Sequence, residues 1–222
     1  MALNALVRSV ENTLDAALIS MTRKSWGTIA SVGDQSDYIT SIGQTLSTII
    51  PIIRKHFFQP KFFKSFCDKF AESLLAKFLN IIYTRCKPLS EVGAEQMLLD
   101  THSLNNILVA MTMIGAEEKS QPPTSFMKIL GKGVAKIDQL LKVAMRPHDP
   151  PDVIVETYLM LFSDHSALGF QKIIELKVYC LYHIWANHKL YNLFRALNEL
   201  KFPKLWICMQ QKQNCRSMFI LL

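Results

Sequence analysis

PKFFKSFCDKFAESLLAKFLNIIYTR, residues 60–85, decides the fold class. Phe62, Phe66, Phe70, Leu74, Phe78 and Ile82 recur every four residues, with Phe63, Leu75 and Leu79 beside them. That step follows one face of an α-helix, whereas a half-buried strand alternates every second residue. Pro60 stands where a first-turn proline belongs, because the N–H it lacks would have no partner there. From Lys61 to Arg85 the helix would be about 37 Å long at 1.5 Å per residue.

Prolines and glycines cut the rest of the chain into similar pieces. Leu3 to Lys24 reads as one helix on Leu3, Leu6, Val10, Leu14, Ala17, Leu18 and Met21. Trp26 to Gln35 reads as a connection, after which Ser36 or Asp37 caps a helix that runs toward Phe57 and bends at Pro51. Ser90 opens a helix that ends near Gly115, Glu117 to Pro123 is a polar loop, and Thr124 caps a helix to Met145. Pro147, Pro150 and Pro151 make a stiff turn before helical stretches at Asp152–Phe162 and Ala167–Lys177. No alternating pattern competes with these and no solenoid repeat is present. The expectation is an all-α, antiparallel, elongated helical bundle.

Composition agrees. Half of the 222 residues are apolar, so a substantial core forms, and only 8 are glycine, which disfavours a turn-dense β fold. Net charge is +7 but uneven: residues 1–50 carry net −1, 51–177 net +3 and 178–222 net +5. Five cysteines without paired spacing read as reduced thiols rather than a disulfide framework. Neither a secretory signal nor a membrane-spanning apolar run is found, so a cytosolic protein is expected.

Motifs that invite a catalytic reading do not hold. Asp100 and His102 lie two residues apart on a helix and point some 200° apart, so they do not pair as orienter and base. Gly131-Lys132-Gly133 lacks the spacing, the following Ser or Thr and the preceding strand of a phosphate loop. Gly133 instead falls on the apolar side, where it would admit a neighbouring helix. Cys180, His183, His188, Cys208 and Cys215 cluster in sequence but match no common zinc spacing. His148-Asp149 reads as a local pair in the proline turn. No catalytic, cofactor-binding or metal residue is assigned.

One surface stands out. At about 100° per residue, Lys128, Lys132, Lys136, Lys142 and Arg146 fall in one sector of roughly 120°. Met127, Leu130, Val134, Ile137, Leu140, Leu141 and Met145 take the opposite side. This stripe is the candidate surface for anionic lipid or an acidic partner, weighed against an ordinary solvated helix face. Nucleic acid is not expected, because no recognition module accompanies the bases.

Residues 92–104, VGAEQMLLDTHSL, carry a resemblance, together with SVGDQS at 31–36, LKVAMRPHDP at 141–150, the wider run Ile137 to Pro147, Tyr158 and FQKI at 170–173. Over roughly residues 1–177 the sequence resembles the C-terminal part of the vacuolar protein sorting-associated protein 53 family, subunits of the GARP and EARP vesicle-tethering complexes. The resemblance implies a helical rod of the multisubunit-tether type, no catalysis and no cofactor. It implies work on the cytosolic face of trans-Golgi network and endosomal membranes, in retrograde transport from endosomes and in endocytic recycling. Its implied partners are the other GARP/EARP subunits, SNAREs, small GTPases or anionic membrane. The family's N-terminal coiled-coil part has no counterpart here, so the sequence corresponds to the distal end of one subunit. The competing class is a stand-alone peripheral membrane or adaptor module using the basic helix face.

The expected organisation is therefore a helical tether region at 1–177 and a divergent, poorly ordered tail at 178–222. The tail reads either as translation of an unspliced intron or as a lineage-specific extension with its own helix from Tyr179 to Leu200. The former is favoured because a valine codon, here that of Val178, can contain the start of a splice donor.

Overall fold

A computed structural model describes residues 2–114, 121–147 and 151–177. Eight helices occur among these residues: α1 (Ala2–Thr13), α2 (Asp15–Arg23), α3 (Asp37–His56), α4 (Pro60–Arg85), α5 (Glu91–Met113), α6 (Thr124–Ala144), α7 (Pro151–Leu161) and α8 (Ala167–Ile174). No named strand is formed there, and a single parallel bridge joins Leu89 to Lys177. The elongated antiparallel helical bundle expected from the sequence is the observed class.

The four-residue pattern of α4 forms the middle of the core. Phe66, Phe70, Leu74, Phe78 and Ile82 are buried. Phe66 and Phe70 stack 5.7 Å apart. Helices α1, α2, α5 and α6 all pack on α4, and α5 also packs on α3 and α6. Pro60 is at the first turn of α4, as expected. Phe62 departs from the pattern and is exposed, while Phe63, one residue on, is buried.

Leu3 to Lys24 is two helices rather than one. The Leu14 N–H donates to the Glu11 carbonyl three residues back at 3.0 Å, a tighter turn that separates α1 from α2. Val7, Val10, Leu14, Leu18 and Met21 stay buried across the break, so burial does not reveal it. Pro51 lies inside α3 without ending it. Ser90 caps α5, its side chain accepting from the Gly93 N–H. Thr124 does not cap α6: it is the first helical residue, Pro123 occupies the cap position, and no side-chain cap bond forms. The last helix stops at Ile174 instead of Lys177, because the following residues turn to form the bridge.

That turn ties α8 to earlier elements. The Leu89 N–H donates to the Leu176 carbonyl at 2.6 Å. The Lys177 ammonium donates to the Arg146 carbonyl and lies 3.4 Å from Glu91 Oε1. Burial lowers the Lys177 pKa and Glu91 opposes it. One side chain thus ties the end of α8 to the end of α6 and the start of α5. The expected tail at 178–222, with its Cys and His cluster, lies outside the described residues, as does the His148-Asp149 pair.

Candidate functional surfaces

Asp100 is fully buried on α5 and accepts three hydrogen bonds. Donors are the Ser36 N–H at 2.8 Å, the Tyr38 hydroxyl at 2.7 Å and the Gln96 side-chain amide at 3.3 Å. Gln96 continues the clamp, accepting from the Gly33 N–H at 2.8 Å and donating to the Asp34 carbonyl at 2.9 Å. The 31–36 and 92–104 stretches therefore meet face to face, and a buried carboxylate holds the connection between α2 and α3 onto α5. Burial, then the Asp100 charge and hydrogen bond, keep the Tyr38 phenol well above its usual range. His102 turns elsewhere, exposed, 3.7 Å from Asp138 on α6. The two residues have structural surroundings, and no base–nucleophile geometry joins them.

Neither thiol in the body is poised for chemistry. Cys67 and Cys86 are free and buried. Burial pushes both up to about 12, so the nucleophilic thiolate is scarce at neutral pH. Among the described residues no group of three His, Cys, Asp or Glu side chains is placed to hold a metal ion.

The basic stripe runs along α6, with Arg146 just past its end. Lys128, Lys132, Lys136, Lys142 and Arg146 are all exposed. Phe126, Leu130, Ile137, Leu140 and Leu141 are buried behind them, whereas Met127, assigned to the apolar side, is exposed at the first turn. Gly133 sits against α4, where an added Cβ would lie 2.5 Å from Leu75 Cδ1. It is the close approach expected from the sequence. Lys142 is 3.9 Å from the half-buried Asp138, so part of its charge is answered from within the helix.

A second surface had no place among the sequence expectations. Where α3 turns into α4, Ile52, Phe58 and Phe62 are exposed, with Phe58 fully so. Lys55, His56, Lys61 and Lys64 stand exposed among them. Behind the turn is a cleft of about 430 Å³ lined by Arg54, Phe57, Lys61, Lys64, Cys67 and Phe126, among others. Arg54 is held inward: it donates to the carbonyls of Thr112 at 3.2 Å and Ile114 at 2.8 Å, at the end of α5. The signal was present as a Phe57-Phe58 doublet in a segment with no acid between Asp37 and Asp68. Helical periodicity carried no reading of those two rings, which lie at the end of one helix and in the turn before the next.

Residues 95–179 match the family described as vacuolar protein sorting-associated protein 53 C-terminus. The Caenorhabditis elegans vacuolar protein sorting-associated protein 53 homolog is 37% identical over 177 residues, 79% of this chain and 22% of the relative. Arabidopsis thaliana vacuolar protein sorting-associated protein 53 A is 39% identical over 176 residues, 79% of this chain and 20% of the relative. The chain belongs to the vacuolar protein sorting-associated protein 53 family. It spans about a fifth of the length of these family members. No solved structure matches it. Within the matched family segment lie all of α6, α7 and α8, most of α5 and the Gln96 and Asp100 side of the buried clamp.

Proposed function

We infer that the chain is a non-catalytic, C-terminal helical part of a vesicle-tethering subunit. The family likeness over 177 residues carries the reading. The fold supports it: long helices share one core, and the buried Gln96, Asp100 and Lys177 join separate segments of the chain. In this reading it works within a GARP- or EARP-type assembly on the cytosolic face of trans-Golgi network and endosomal membranes, in retrograde transport and recycling. Residues 1–177 are the functional unit and 178–222 an addition to it. Affinity purification of the tagged chain from cells, probed for the remaining complex subunits, tests this. Recovery of those subunits is expected. Their absence, with correct membrane localisation retained, would instead favour a stand-alone peripheral module.

One observation favours that second reading, namely that all five bases of the α6 stripe are exposed. If they dock on anionic lipid, Lys128/Lys132/Lys136→Glu should reduce liposome flotation at low salt while circular dichroism stays unchanged. Added salt should shrink the difference, since exposed charges are screened beyond roughly 8 Å at physiological ionic strength. Equal flotation of the two folded proteins leaves the stripe as a solvated face.

A further inference from the structure

We propose that the turn between α3 and α4, residues 52–64, is a docking tip for an anionic phospholipid bilayer, with Phe58 and Phe62 entering the interface and Lys55, Lys61 and Lys64 meeting the head groups. It uses residues other than the α6 stripe and does not rest on the tether reading, so failure of subunit recovery leaves it untouched.

The apolar half of the argument is exposure without a partner. Phe57 packs inward, its ring 6.2 Å from Phe63 and 6.3 Å from Phe66. Phe58, the next residue, projects from the turn into solvent. Ile52, just before the last turn of α3, and Phe62 on the first turn of α4 are exposed on either side of it in sequence. Single exposed apolar residues are ordinary, but three grouped at one turn mark an interaction surface.

Charge selects the occupant. Between Asp37 and Asp68 there is no acidic residue, while Arg54, Lys55, Lys61 and Lys64 crowd the turn. Lys61 Nζ lies 5.2 Å from the centre of the Phe62 ring, so a cation and an aromatic ring are presented together. Aromatic rings beside lysines are the residue types that settle at a membrane interface, rings at head-group depth and ammonium groups on phosphates. An acidic peptide is the poorer fit. The cleft behind the turn, where a peptide would lie, contains Asp68, one of whose carboxylate oxygens is buried without a partner. A ring projecting from a helix–helix turn suits insertion between lipids better than it suits the wall of a peptide groove.

The tip is also braced. Arg54 ties the end of α3 to the last carbonyls of α5 and lies over the Phe63 ring at 5.0 Å. Docking therefore orders little that is not already ordered, which favours binding by a small contact.

Flotation of the full chain with phosphatidylcholine vesicles, with and without phosphatidylserine, tests the proposal. Wild type is expected to float only with phosphatidylserine present, and less so in high salt. Lys55/Lys61/Lys64→Gln should lower partitioning on the order of 100-fold, at about fivefold per charge. Phe58→Ser should lower it roughly tenfold or more. In Phe58→Trp, the emission difference from wild type should shift to the blue when phosphatidylserine vesicles are added. All these positions are exposed, and circular dichroism verifies folding. The proposal is overturned if wild type fails to float, if Lys128/Lys132/Lys136→Glu alone abolishes flotation, or if a floating Phe58→Trp protein shows no shift. Saturable binding of a labelled poly-glutamate peptide, lost in the lysine variant and unaccompanied by flotation, would transfer the surface to an acidic protein partner and equally overturn it.

Discussion

Asp100 illustrates how one side chain decides more than its sequence neighbourhood suggests. Its carboxylate answers the backbone N–H of Ser36, just before α3, and the Tyr38 phenol in the first turn of α3. Asp100→Ala should therefore destabilise the fold by about 2–4 kcal/mol, because it strands buried donors. Tyr38→Phe removes one bond and should cost about 1–2 kcal/mol. Urea unfolding measures both, and equal, negligible shifts in midpoint would dismiss the clamp. The alkaline limb offers a second readout. The Cys67 and Cys86 thiols and the Tyr38 phenol all have folded pKa values raised above their unfolded ones. For acids raised in this way the folded state binds more protons. Their contribution is fully present below the unfolded pKa values, near 9 for the thiols and 10 for the phenol, and is lost as pH rises toward the folded values. Stability should fall from about pH 9 upward, and Tyr38→Phe should soften that decline above pH 10.

At the scale of elements, glycines separate positions that look alike in sequence. Gly93, in the first turn of α5, lies against the Trp26 backbone, and a Cβ there would stand 2.1 Å from the Trp26 carbonyl oxygen. The same carbonyl accepts from the Ser90 N–H and hydroxyl. Backbone on both sides leaves no room to yield. Gly93→Ala should cost about 1–3 kcal/mol or more. Gly131 on α6 has nothing within 4 Å of an added Cβ. Gly131→Ala should stabilise by about 0.4–1 kcal/mol, since alanine restricts the unfolded chain and favours helix. Thermal denaturation of the pair should show shifts of opposite sign. Shifts of the same sign would mean that the α5 approach to Trp26 is looser than the geometry states.

For the molecule as a whole, Leu176 and Lys177 pin the segment after α8 to Leu89, Glu91 and Arg146. Ending the chain after Lys177 should leave the thermal midpoint unchanged. A loss greater than about 5 °C, which is ~1–2 kcal/mol for a domain of this size, would place residues of the 178–222 segment in the core. Ending it after Ile173 instead removes the pins along with buried Ile174 and Leu176. That truncation should lower the midpoint clearly. If both truncations melt alike, the bridge at Leu89 contributes nothing to the fold.

The helical class, the α4 core stripe, the helix start at Ser90, the close approach at Gly133 and the outward set of α6 lysines were legible from residue order. Each follows from local rules, the 3.6-residue period and the chemistry of helix ends, which act within a few residues and need no knowledge of neighbours. The tertiary structure alone decided the rest. Periodicity says that a residue lies on an apolar face, but not whether that position is covered: Phe62 and Met127 are exposed, while Phe63 and Phe126 beside them in the same first turns are buried. Likewise Asp100 reads as a helix polar residue until the connection from α2 to α3 folds across it. The α3–α4 tip went unread for the same reason. Whether Phe57 or Phe58 turns inward depends on Phe63 and Phe66 one helix away, and burial is a property of what packs against a residue rather than of the residue itself.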